Sequence, residues 1–156
     1  MQASGTAGAG ASVYRGDAPQ GRRGLAGALG LLVALALCFG AAATGALFPP
    51  GEWYLGLEQP ALTPPSWVFG PAWTTLYVLM AVAAWLVWRE RGLVGARGPL
   101  ALFALQLTLT AAWSALFFGA HATGWALIEI VALWLCIAAT ALAFRRVRPL
   151  AAALLV

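Results

Sequence analysis

Four long apolar runs, at residues 25–48, 66–88, 99–119 and 124–144, limit this chain more than any other feature. Each approaches or exceeds the roughly 20 apolar residues needed to cross a bilayer. Inside hydrocarbon no water is available to backbone N–H and C=O groups, so each run is predicted to form an α-helix that satisfies them internally. The chain is 62% hydrophobic and 9% charged, too apolar for an ordinary soluble domain. With 156 residues there is room for one domain. The expected class is therefore an all-α integral membrane protein, multi-pass, in contact with the lipid bilayer. A fifth apolar stretch starts at Pro149 and reaches Val156. Eight helical residues rise only about 12 Å against a hydrocarbon core of ~30 Å. The architecture expected is four full helices plus the start of a truncated fifth, with the natural chain continuing beyond Val156 or a partner helix in its place.

Charge sets the orientation. All nine cationic residues are arginines, grouped as Arg15, Arg22 and Arg23, then Arg89, Arg91 and Arg97, then Arg145, Arg146 and Arg148. The loops 49–65 and 120–123 carry none. By the positive-inside rule the N-terminus is cytoplasmic, and loop 49–65 and His121 face outward. These clusters border helices and form no contiguous basic surface, so nucleic acid is not an expected partner. The first run exceeds a usual signal-peptide core and is read as a retained helix. Residues 1–23 are expected to form a flexible cytoplasmic tail and 24–156 the transmembrane domain. A bacterial membrane is the expected location.

The segment 59–77 carries the strongest local signal. Pro60, Pro64, Pro65 and Pro71 crowd the point where the outer loop becomes the second helix. Pro64 and Pro65 fix φ and remove donors, which makes this a stiff, non-helical approach. Trp67, Phe69, Trp73 and Tyr77 set flat aromatic surface beside it, suited to a flat apolar ligand. The competing reading is an interfacial aromatic belt, to which Trp85 and Trp88 are assigned. In the third helix Gln106, Thr110, Trp113 and Phe117 share one stripe. Gln106 needs a partner in hydrocarbon, either a neighbouring helix or a ligand. Thr110 can satisfy itself on a backbone carbonyl. Small residues fill the first helix and point to close packing against another helix, in this chain or a second copy. Glu129 reads as a structural hydrogen bond or a partly solvated acid before a proton relay. His121 reads as a polar cap before a ligand to porphyrin iron. Cys38 and Cys136 are lone and mid-span, and receive no redox or metal role.

Trp53-Tyr54, the run from Gln59 to Tyr77, the block Gln106–Gly119 and Trp125-Ala126-Leu127-Ile128-Glu129 together resemble the TspO/MBR family, the tryptophan-rich sensory or translocator proteins. The resemblance implies a five-helix membrane bundle that often forms homodimers. It also implies binding of porphyrins and haem-type tetrapyrroles, or of sterols in animal members. Regulation of pigment synthesis is linked to bacterial members, and light-dependent porphyrin breakdown to some. Carried over by position, Trp73 matches a pocket tryptophan and Ala46 a small pocket residue. Trp113 matches an aromatic position, while Gln106 and Thr110 match polar ligand-facing positions. The family commonly has asparagine at Thr110, and many members have tryptophan at Leu62. The family's fifth-helix tryptophan lies beyond the residues present.

Three functions follow as alternatives. The first is a receptor, sensor or transporter that binds a porphyrin or similar tetrapyrrole, or a sterol-like molecule, in an intramembrane pocket formed by Ala46, Trp67, Phe69, Trp73, Tyr77, Gln106, Thr110, Trp113 and Phe117. It would require no cofactor and no metal. The second is a light-dependent porphyrin-degrading enzyme, for which the sequence offers no paired acids, nucleophile–base set or metal cluster. The third is a structural subunit of a larger membrane complex.

Overall fold

The computed structural model describes residues 20–57 and 65–156. Six helices follow in order: α1 (Gln20–Leu47), α2 (Glu52–Leu55), α3 (Ser66–Gly95), α4 (Arg97–Ser114), α5 (Thr123–Arg145) and α6 (Pro149–Ala153). A π-helical turn, Ala115–Gly119, prolongs α4. Four of these helical units are long and apolar enough to cross a membrane, as the hydropathy pattern predicts.

Two boundaries differ from expectation for one reason. α1 begins at Gln20 and α3 runs on to Gly95, because a charged residue ends an apolar window without ending a helix. Arg89, Glu90 and Arg91 continue α3 as exposed residues. Its regular geometry stops at Gly92, where φ is 65° and ψ 179°, a conformation glycine adopts without a Cβ penalty. The early start of α1 also shortens the expected tail: positions 20–23 are helical. Residues 1–19 of that tail lie outside the described residues, as do Leu62, Pro60 and Pro64 of the proline-rich loop.

α1 packs on α3 and α4, α4 packs on α5, and the short α6 packs on both α5 and α3. The chain alternates direction, so the arginines of α3, α4, α5 and the α5–α6 junction gather at one end. There the core is densest: Ala81, Ala83, Val87, Ala96, Phe144 and Ala151 are buried. Phe103 on α4 meets Phe144 on α5 with ring centroids 5.9 Å apart. Cys136 Sγ donates to Leu102 O at 3.5 Å, and Cys136 and Cys38 are both buried and free.

The small residues of α1 meet α3 of the same chain. Trp85 Nε1 donates to Gly27 O at 2.7 Å. The Trp88 ring lies so close to Gly30 that a Cβ there would overlap it. Trp85 and Trp88 therefore fasten two helices together, a packing role beyond their assignment as belt anchors. Which helix stands opposite a residue is not specified by a single-helix pattern. Arg89 rests its guanidinium 4.6 Å from the Trp85 ring centroid, which suits a cation–π contact. Glu90 and Arg148 form an ion pair of 3.6 Å between half-exposed side chains, worth at most about 1 kcal/mol.

Candidate functional site

At the end away from the arginines the helices separate and leave a cavity of about 540 Å³. α1 and the residues just after it supply Phe39, Ala42, Ala43, Gly45, Phe48 and Pro50. Trp73, Thr74 and Tyr77 come from α3, Thr110, Trp113 and Ser114 from α4, and Phe118 from the π turn. The wall on the α1 side is low because Ala42, Ala43 and Gly45 are small. The other walls are aromatic. Trp73 and Tyr77 stand one turn apart with ring centroids at 6.0 Å, and Tyr77 also meets Phe39 at 6.4 Å. Trp113 stacks nearly parallel on Phe117, at 4.9 Å and 7°. Phe118 stands perpendicular to both, 5.6 Å from Trp113 and 5.0 Å from Phe117.

The polar atoms of this wall are few. Thr74 Oγ1 donates to Gly70 O and Thr110 Oγ1 to Gln106 O, both at 2.9 Å. Their donors are thus spent on their own helices, and each hydroxyl keeps lone pairs as acceptor. Tyr77 and Ser114 add hydroxyls that can serve as donor or acceptor. Among the described residues no group of three or more His, Cys, Asp or Glu side chains could hold a metal ion.

Beyond the cavity, α2 sits against a further aromatic cluster. Trp53 meets Phe117 edge-on at 5.7 Å, and Tyr54 meets Phe118 edge-on at 5.5 Å. His121 takes a left-handed φ of 51° and stacks on Trp53 at 4.4 Å. The histidine thus caps the loop by stacking on a ring. Phe48 approaches Gly119 so closely that a Cβ there would lie 2.8 Å from its ring, so glycine permits the contact between the end of α1 and the π turn.

Four of the residues singled out in the sequence share this cavity: Trp73, Tyr77, Thr110 and Trp113. Five lie outside its lining. Ala46 is exposed and does not line the cavity, although it stands one turn beyond the cavity-lining Ala42 on the same face of α1. Trp67 is 75% exposed and Phe69 45%, because the first turn of α3 has no neighbouring helix in the described structure. Gln106 is 2% exposed and donates through Nε2 to Met80 Sδ on α3 at 3.5 Å, a helix–helix contact; its Oε1 finds no partner among the described residues. Phe117 stands behind Trp113, facing α2, since the π turn shifts the helical phase and puts Phe118 on the cavity wall. Glu129 is buried on α5 with neither oxygen hydrogen-bonded among the described residues, so the structural hydrogen bond, one of the two readings given for it, does not appear there.

The sequence reading did not single out Phe39, Phe48, Thr74, Ser114 or Phe118 as site residues. Phe39, Ala42 and Ala43 do recur at helical spacing, but in a helix dense with small residues that stripe is one of several, and Phe48 lies past the end of α1.

Comparison with known proteins covers nearly all of this architecture. The sequence model of the TspO/MBR family matches residues 29–156. The human translocator protein is 43% identical over 134 residues, covering 82% of this chain and 77% of the human protein. Its pig counterpart is 46% identical over 106 residues, 67% of this chain and 63% of its own length. The tryptophan-rich sensory protein of Cereibacter sphaeroides is 44% identical over 113 residues, 72% of this chain and 70% of that protein. A match that runs through every spanning helix and every element of the cavity wall leads to one conclusion: this chain is a multi-pass membrane protein belonging to the TspO/MBR family.

Proposed function

We propose that the chain binds a flat, largely apolar ligand, a porphyrin or another tetrapyrrole, in the cavity between α1, α3 and α4, and that it serves sensing or translocation. The observation that carries this reading is the pairing of aromatic walls, Trp73 with Tyr77 and Trp113 with Phe118, around about 540 Å³ of space. That volume lies within the roughly 300–1,000 Å³ of small-molecule sites. Each aromatic contact with a flat π-system adds about 0.5–1.5 kcal/mol beyond burial. The hydroxyls of Tyr77, Thr110 and Ser114 would orient the ligand by its polar edge. The names of two relatives, translocator protein and tryptophan-rich sensory protein, agree with transport or sensing. In this reading the arginine end faces the cytoplasm and the cavity lies in the outer half of the membrane.

Protoporphyrin titrated into purified protein in detergent tests the proposal through the porphyrin absorption band and tryptophan fluorescence. Saturable binding with quenching is expected, against simple partitioning in empty micelles. Trp73→Phe keeps a ring but removes indole area. It should weaken binding roughly three- to tenfold with the melting temperature nearly unchanged. A non-saturating signal equal to that of empty micelles would overturn the assignment.

A further inference from the structure

A second concavity lies at the opposite end, between α5 and α6, with a volume of about 350 Å³. Ala141 and Leu142 of α5 and Pro149, Ala152 and Ala153 of α6 form its floor and sides, Val156 borders it, and Arg145 stands at its rim. Alanines on both helices hold the space open. Leu142 is 60% exposed, so the groove is apolar and turned toward the surroundings of the bundle.

The charge around this groove is one-sided. Arg148 pairs with Glu90, Arg91 donates through Nη2 to Arg146 O at 3.3 Å, and Arg89 lies over the Trp85 ring. Glu90 is the one carboxylate side chain described at this end: Glu52 is on α2 at the far end, and Glu129 is near the start of α5, also at the far end. Arg145 is exposed and forms no ion pair among the described residues.

We propose that this groove binds an anionic phospholipid, with one acyl chain along the alanine-lined floor and the phosphate held by Arg145. The apolar groove fits a hydrocarbon chain, which is already the local solvent, and its specificity comes from the rim. A guanidinium gives a phosphate paired donors in a planar fork. A headgroup with net negative charge suits a cluster of three arginines. A choline headgroup would instead bring its own cation against them. Basic pockets between spanning helices at such an end recognise anionic headgroups on the same physical grounds. The site lies at the other end of the bundle from the aromatic cavity and stands or falls independently of it.

Native mass spectrometry of the purified chain, released from micelles with equimolar phosphatidylglycerol and phosphatidylcholine, tests the proposal. One phosphatidylglycerol should be retained in preference by about fivefold or more, the factor for roughly one charge contact. Arg145→Gln should bring the two lipids to near-equal retention, while Arg145→Lys should keep part of the preference. Ala152→Phe, which fills the groove, should remove the retained lipid of either kind. Circular dichroism establishes that each variant is folded. Equal retention of the two lipids by the wild type, or an undiminished preference in Arg145→Gln, would overturn the proposal.

Discussion

The two ends of this bundle are built on opposite plans. At the arginine end, small residues let helices close on one another, and the large side chains present, Trp88 and Phe144, are packed against neighbours. At the cavity end, large aromatics meet mostly each other, and Trp67, Phe69 and Trp73 stay substantially exposed. Membrane helices gain little from burying apolar surface, since lipid is as apolar as leucine, so close contact is what holds them together. The contrast divides the labour: one end supplies cohesion, the other keeps a cavity open.

The all-or-none way to break that comparison is topological. Cysteines placed at Gly51 and Gly95, in a chain whose two native thiols are replaced, should be labelled from opposite sides of the membrane. Labelling from one side would mean that the two ends do not face different compartments. Next in size is Gly30→Leu. Its side chain would meet the Trp88 ring and force α1 away from α3, with an expected cost of about 1–3 kcal/mol and a lower melting temperature. Trp88→Ala in that background should recover much of the loss. An unchanged melting point would show that cohesion does not reside at this contact. The smallest effect is expected for Trp67→Ala, because this exposed ring lies outside the cavity lining. Porphyrin affinity should change by less than about twofold, and melting not at all, as expected for a surface substitution. A tenfold loss would extend the site along α3 to its first turn.

The fold was legible where the physics is one-dimensional. Length and apolarity define a spanning helix, and the four spans lie where hydropathy puts them. The site was legible only in part. Trp73 and Tyr77 follow from regular α3 geometry, as Thr110 and Trp113 do from α4. Phe117 and Phe118 exchange roles because the backbone leaves α-helical phase after Ser114, which no pattern of period 3.6 can foretell. Ala46 shares a face with the cavity-lining Ala42 but lies one turn nearer the end of α1, outside the lining, and a helix rich in small residues carries no internal mark of how far along it a cavity reaches. Trp85 and Trp88 stand beside the arginines, where an interfacial anchor is expected, and their partners are glycines 58 positions away in the sequence. Such contacts are properties of assembly, which hydropathy does not encode.

The wide turn at Ala115–Gly119 also has a consequence for what changes of length this chain can tolerate. Ala120 N bonds to Ala115 O at 2.8 Å and Ala122 N to Leu116 O at 3.0 Å, spans longer than the α-helical four. The turn thus stores a surplus residue. Removing one position would let α4 continue with ordinary hydrogen bonds and improved local regularity. Because the wide turn absorbs that residue, the segments on either side would keep their relative phase, while the residues inside the turn would be redistributed. Phe117, Phe118 and Gly119 lie within it, so their places against Trp113, the cavity and Phe48 would change even as the helix became more regular. Here backbone irregularity is the feature that sets the shape of the cavity wall.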